Sequence, residues 1–436
     1  MSRPDLLPPR ESAFLGGPVG RYAASATFAR LVPLIVAMTA VPVIAAVLRQ
    51  GHCLAKGWNG DEQFWRGCFS DLPAQYQLGG LSGGVGALLS GDAHLDQPPL
   101  STLVMAALGG LVPDGTVLDQ TRWYLLFWAV LATILLMVTT WCTAALRPRR
   151  LDLATQLALS PIIFGVALLS PDVVAVAAVA LAMWAWSRDH WLLAGLLLGA
   201  GVLSRTYVIA VVVALLLWAV RAGRLRDALA SFGVAVITAS TTTLALLLVN
   251  RDLVTAAWAA WRDSAPGYGS PWMVPQLLEQ PLPGPIVTLL PLVGWVVAVL
   301  LGAAFVRLSP WQPTWAQVAV VVAGVVIVTG KAVPVQAALW LLPLVIVSGL
   351  AWREHLAWAV VELLHLGAVW LYIGAQTVPD RGLPAGWYGT ALLARLAMVW
   401  FVIWRAASTP GPQARPAPPA PPVEDTDDYR AVVAAG

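Results

Sequence analysis

Residues 172–226 read DVVAVAAVALAMWAWSRDHWLLAGLLLGAGVLSRTYVIAVVVALLLWAVRAGRLR. Three apolar runs are separated there by isolated charges: Asp172, then Arg188, then Arg205, then the cluster Arg221, Arg224 and Arg226. Each run is long enough to cross part or all of a ~30 Å hydrocarbon layer. The same pattern continues in both directions, from Leu31 to Trp404. Apolar residues make up 58% of the 436 and charged residues 11%, against roughly 25% charged in a soluble domain. No water-soluble globule of this size could hide that much apolar surface, so the bilayer is the solvent. The net charge of +3 comes from loop arginines and reports orientation rather than an affinity for nucleic acid.

Lys and Arg concentrate on the cytoplasmic side of short loops, and one threading places the arginine clusters together. Arg3, Arg10, Arg21 and Arg30 hold a polar N-terminal segment, 1–30, in the cytoplasm. Residues 31–48 cross as a retained first span, and a long extracytoplasmic loop, 51–122, follows. Within it the short apolar piece 99–112 is expected to be a juxtamembrane helix, because a full span there would carry Arg147, Arg149 and Arg150 outside. The next span is 123–146. Turning points then alternate through the opening stretch, and the helices between them, about 14 to 19 residues, are short for a ~30 Å core. A second large loop occupies 250–284. The expectation is an all-α polytopic protein with about 12 membrane-crossing helices over 31–405. A Pro/Ala-rich tail, 406–436, with acidic residues at Glu424 to Asp428, is expected to be disordered in the cytoplasm.

This threading gathers Asp61, Asp71, Asp96, Asp172, Arg205 and Lys331 on the outer face. Charges at membrane depth are costly and mark function. A solvated loop charge is the ordinary reading for most of them, but Arg205 and Lys331 each stand between two apolar helices with little polar sequence nearby. Two cations at equivalent helix ends point to a site for an anion. A lipid phosphate-sugar donor keeps its tail in the bilayer and its phosphate at the interface. An enzyme using it needs cations at that level and a carboxylate to take the acceptor's proton. Cys53 and Cys68 share the first loop, where an oxidising compartment would allow them to pair; Cys142 lies in an apolar run as a packing residue.

The stretch Cys68-Phe69-Ser70-Asp71-Leu72, followed by Asp96-Gln97-Pro98-Pro99-Leu100, resembles the first outer loop of the GT-C glycosyltransferases, in particular the polyprenyl-phosphate-mannose-dependent α-mannosyltransferases of actinobacteria (the glycosyltransferase 87-like family). Leu159-Ser160-Pro161 with Ser170-Pro171-Asp172 is similar to that family's paired outer turn. The run from Gly199 to Arg205-Thr206-Tyr207 resembles its Gly-rich helix, and Tyr268-Gly269-Ser270-Pro271-Trp272 its central loop. Lys331-Ala332-Val333-Pro334-Val335-Gln336, continuing to Trp340-Leu341-Leu342-Pro343, resembles a Lys-x-x-x-x-Gln-x-x-x-Trp-Leu-x-Pro signature. The chain departs from the family at Pro334-Val335-Gln336-Ala337, where Ser-Pro-Gln-Tyr is common, and at Asp96-Gln97-Pro98, where an acidic-Tyr-Pro is common. The resemblance implies an inverting glycosyltransferase of the cytoplasmic membrane with an extracytoplasmic active site. Its donor is a polyprenyl-phosphate sugar, mannose first among them, and its acceptor an envelope glycolipid or polysaccharide. Asp71 is the implied general base, with Asp61 a rival in the same loop. Arg205 and Lys331 are the implied donor-phosphate ligands, and Asp96, Asp172, Gln336 and Trp272 the implied substrate contacts.

The other tryptophans divide by position. Trp352, Trp358, Trp387 and Trp404 are expected in interfacial belts, while Trp58, Trp65, Trp261 and Trp272 are placed in outer loops where a sugar stacks. Arg395, inside the last apolar run, is expected to snorkel or to make a packed polar contact. The five His have no zinc-ligand spacing, and no metal is assigned, with a Mg²⁺ requirement left open. Two other functions stay open beside the transferase. A lipid-linked sugar transporter or flippase would show paired repeats and mid-membrane charges, and an inactive scaffold would bind envelope lipids through the same face.

Overall fold

The computed structural model describes residues 28–378 and 381–410. Arg3, Arg10, Arg21, Asp380 and the acidic tail lie outside the described residues. All regular structure among the described residues is helical. A hydrocarbon solvent favours this, because a helix satisfies its backbone N–H and C=O groups within one segment. Six helices are long and apolar enough to cross a membrane: Arg30–Arg49, Val117–Leu146, Leu225–Val249, Gly284–Leu308, Trp352–Thr377 and Ala385–Ser408. Shorter apolar helices lie among them.

Length and burial run in opposite directions. The crossing windows of the six long helices are only 11% to 44% buried, and side chains such as Leu48, Leu248 and Leu308 stand exposed on them. In the short helix Ala337–Ser348 every residue but Trp340 is buried, and in Trp315–Thr329 every residue but Val326 and Thr329. Long helices therefore form the lipid-facing rim and short ones the interior. A short helix enclosed by protein need not match the hydrocarbon thickness, because its ends meet polar protein groups rather than lipid.

Several boundaries differ from the sequence expectation for local reasons. The first span is interrupted: Phe28–Met38 ends and Ala40–Arg49 begins around Thr39. Pro42 has no N–H to offer the Met38 carbonyl, and its ring crowds that position. The second span, expected over 123–146, begins earlier, as Val117–Leu146, because the Thr116 side chain accepts from the Asp119 N–H and caps a polar first turn. Residues 151–166 form two pieces, Leu151–Ala158 and Pro161–Val166, the second restarting on Ser160 as cap and Pro161 at the first helical position. The short apolar piece expected over 99–112 forms the helix Pro99–Gly109. Gly199 lets Trp191–Ser204 approach Leu225–Val249, since a Cβ there would stand 2.7 Å from the Ala235 carbonyl oxygen.

Side-chain bonds between distant segments sort into two ends. At one end Arg147 donates to the Val347 carbonyl, Arg221 to the Ser309 carbonyl and Gln317 to the Ala406 carbonyl, while Arg405 pairs with Glu354. This arginine face holds Arg147, Arg221 and Arg405, which the threading assigned to one side. At the other end Ser70 donates to the Leu168 carbonyl, Ser101 to that of Ser204 and Asn250 to that of Leu88, and Arg381 lies over Trp65. Both large loops belong to this loop face.

Cys53 and Cys68 are joined by a disulfide on the loop face, with Cα atoms 5.9 Å apart. The buried Trp58 indole closes the same corner, donating to Gln50 Oε1 and to the Cys68 carbonyl. Trp58 is thus a packing residue rather than the expected sugar platform. The disulfide closes a loop with a sequence separation of 15, for which loop-closure entropy gives about 3 kcal/mol. Replacing both cysteines by alanine is expected to lower the thermal midpoint of the purified protein and to raise proteolytic nicking within 51–70. An unchanged midpoint and digestion pattern would show that the corner is held without it.

Candidate active site

The first loop is pinned to the bundle immediately before its central carboxylate. Ser70 caps helix Asp71–Leu78 by accepting from the Leu72 N–H, and its hydroxyl donates to the Leu168 carbonyl at 2.6 Å. The Asp71 N–H donates to the Leu169 carbonyl at 3.0 Å. These bonds seat Asp71 against the turn that carries Ser170 and Asp172. The residue is half-buried, and its carboxylate accepts no hydrogen bond from the described residues. Burial pushes its pKa up to about 6; the Arg205 guanidinium opposes that push and the Asp172 carboxylate adds to it.

Asp172 is fully buried and both of its oxygens are occupied. Arg205 Nε pairs with Oδ1, and Trp340 Nε1 donates to Oδ2 at 2.6 Å. The Trp340 indole stacks on Tyr207, with ring centres 5.0 Å apart and planes 5° from parallel. With Asp172 holding Nε, the two terminal amino groups of Arg205 have no partner among the described residues. The Ser170 and Tyr207 hydroxyls beside this group are buried and unpartnered as well. One free carboxylate, one fixed guanidinium with free donors and unsatisfied hydroxyls therefore converge from segments far apart in sequence. Such a group can take a proton and hold an anion at neighbouring positions.

The other expected site residues are placed differently. Asp172 was expected to touch substrate; with both oxygens taken in the interior, it instead orients Arg205. Lys331 is only 3% exposed. Its ammonium donates to the Arg262 carbonyl at 2.8 Å and to Thr288 Oγ1 at 3.2 Å, above the Trp261 ring. Burial lowers its pKa, against the pull of Asp263. No described hydrogen bond or ion pair joins Lys331 to Asp71 or Arg205, and of the two expected cations Arg205 is the one with unpartnered donors among the described residues. Asp61 lies before the short helix Glu62–Trp65 with its side chain capping nothing, while Glu62 pairs with His52. Asp96 is exposed. Gln336 is buried at the start of Ala337–Ser348, one turn before Trp340. Trp272 donates its indole N–H to the Thr329 carbonyl, which ties the second large loop to the bundle.

Of two interior residues, one departs from expectation and the other takes the second of its two expected roles. Trp358, assigned to an interfacial belt, is fully buried and donates to Glu362 Oε1; Trp387 and Trp404 are exposed, as a belt requires. Arg395 does not snorkel. It forms a buried ion pair with Glu362 at 2.8 Å and donates to the Gly269 and Pro334 carbonyls. Gly269 is required there, since a Cβ would stand 2.7 Å from the Val333 carbonyl oxygen and collide with Arg395 Nη1. Sequence reasoning missed this clasp and the Trp340–Asp172–Arg205 chain because partners that distant along the chain leave no local pattern.

A groove of about 380 Å³ opens elsewhere, between Val47, Leu54, Trp123 and Leu126, with Asp119 and Arg122 on its wall. Asp71, Asp172 and Arg205 are not among its lining residues. No protein-family model, no curated protein and no solved structure matches this chain.

Proposed function

We propose that this chain is a membrane-embedded inverting glycosyltransferase that moves a sugar, mannose by the resemblance noted above, from a polyprenyl-phosphate donor to an envelope glycolipid or polysaccharide. In this reading the chain crosses the cytoplasmic membrane about 12 times, with both termini and the arginine face cytoplasmic. The loop face, with its disulfide, is extracytoplasmic, where oxidation is sustained.

The acceptor hydroxyl attacks the anomeric carbon from the face opposite the phosphate. Its proton passes to Asp71 as the new carbon–oxygen bond forms. The bond between the anomeric carbon and the phosphate oxygen breaks, and its electron pair leaves with polyprenyl phosphate. Arg205 offers its free amino groups to that growing charge, and Asp172 and Trp340 hold the guanidinium in place. The observation that carries this reading is the Asp71 carboxylate, without a hydrogen-bond partner and packed within the electrostatic reach of Arg205. A transporter reading would draw on the ion pair Arg395–Glu362, which lies inside two long helices. That pair also holds the Gly269 and Pro334 carbonyls of the loop face, which gives it a structural task.

The test is transfer of labelled sugar from polyprenyl-phospho-mannose to an envelope-lipid extract by the purified protein. No transfer to any fraction, with donor bound, would favour the scaffold. Only the ionised carboxylate can accept a proton, so the rate is expected to rise with pH and level off above about 6. A rate that instead falls as pH rises through this range would remove Asp71 as the base.

A further inference from the structure

The transferase reading leaves Arg49, on the loop face, without a task. Arg49 is the last residue of Ala40–Arg49, at the end of a crossing helix where an unpaired charge is costly. Its guanidinium lies between two rings, with its central carbon 5.4 Å from the centre of Phe164 and 5.0 Å from that of Trp370. Nε and Nη2 are buried with no hydrogen-bond partner, and Nη1 also has none among the described residues. No carboxylate pairs with Arg49 among the described residues.

Aromatic rings stabilise a guanidinium through its flat faces and leave its N–H edges available for an anion. Here two rings lie against the guanidinium while its donors have no hydrogen-bond partner among the described residues. A residue that only snorkels would carry its head into water or onto headgroups, whereas two of these nitrogens are out of reach of water. Gln50, the next residue, accepts from Trp58, which also donates to the Cys68 carbonyl. The Arg49 corner is thereby built into the wall that leads to Ser70 and Asp71. Arg49 ends the first crossing helix, and the end of a span is where a chain meets lipid headgroups.

We infer that Arg49, clamped by Phe164 and Trp370, is an anion-binding residue that takes the phosphate of a membrane lipid, separate from the Arg205 group. Phosphate matches the planar fork of donors that the rings leave open. The inference is read by binding alone, so it stands or falls independently of sugar transfer.

The experiment measures lipid binding to the purified full chain in detergent, by native mass spectrometry and titration. The probes are phosphatidylglycerol, phosphatidylcholine and inorganic phosphate. The parent is expected to bind phosphatidylglycerol in preference to phosphatidylcholine. Arg49→Gln is expected to weaken phosphatidylglycerol binding on the order of tenfold or more, and Asp71→Asn to leave it unchanged. Arg49→Lys, which keeps the charge without the planar fork, is expected to fall between parent and Arg49→Gln and serves alone if the Gln variant does not fold. Equal affinity of parent and variants for phosphatidylglycerol would overturn the inference. Displacement of the lipid by millimolar inorganic phosphate would also overturn it, assigning the site to free phosphate instead.

Discussion

Asp71→Asn is expected to lower sugar transfer by about 10²–10⁴-fold while leaving the protein as stable as the parent, or more so, at pH 7.5. The two halves of this result have one cause. Asn keeps the size of the side chain and cannot accept the hydroxyl proton. It also removes a carboxylate that the fold holds at a cost. The unfolded carboxyl titrates near 3.8 and the folded one near 6, so the folded chain binds the proton more tightly than the unfolded chain. This contribution to stability is present below 3.8, declines as pH rises towards 6, and is absent above it. At pH 7.5 the ionised group therefore destabilises the native state, on the order of 3 kcal/mol. A purely structural carboxylate, hydrogen-bonded and paired, would show the reverse sign. Thermal unfolding of parent and variant at pH 5 and pH 7.5, beside the transfer assay, separates the two. Transfer that survives the substitution removes Asp71 from the chemistry, and a variant destabilised at pH 7.5 contradicts the free carboxylate on which the mechanism stands.

The fold was legible where one segment's chemistry determines its form. Apolar runs between Arg clusters gave the helices, and the side on which the arginines gather separated the two faces, because both follow from transfer into hydrocarbon. The break at Thr39 was missed, although Pro42 announces it: a hydropathy reading sums over the window and ignores one missing N–H. The site was legible in part. Asp71 and Arg205 stand out from an apolar background, and the structure brings them within electrostatic reach of each other. Asp172 and Lys331 stand out equally in the sequence, yet one is enclosed as a positioning group and the other is occupied by Arg262 and Thr288. Which charge is free and which is satisfied depends on partners as distant as Trp340 is from Asp172, and no spacing rule reports such pairings. Arg49 shows the same limit from the other side. In the sequence it is one more arginine at a helix end, and only the rings of Phe164 and Trp370 show that its edges are unfilled.

Arg205→Met is expected to be the most destabilising single change at the loop face and to abolish transfer with it. Asp172 is fully buried, and without the guanidinium its charge keeps only the Trp340 indole as partner. Stranding one member of a buried ion pair costs about 3–5 kcal/mol. Adding Asp172→Asn removes the stranded charge, and the double variant Arg205→Met/Asp172→Asn is expected to recover most of the lost stability. It should not recover transfer, because the donors for the departing phosphate are still missing, a loss of about 10²–10³-fold for one such donor. Stability and activity are thereby separated within a single mutant cycle. A double variant as unstable as the single one would show that Arg205 contributes by packing rather than by neutralising Asp172. A double variant that transfers sugar at the parental rate would take Arg205 out of the mechanism, leaving Asp71 without the cation that the proposed displacement requires.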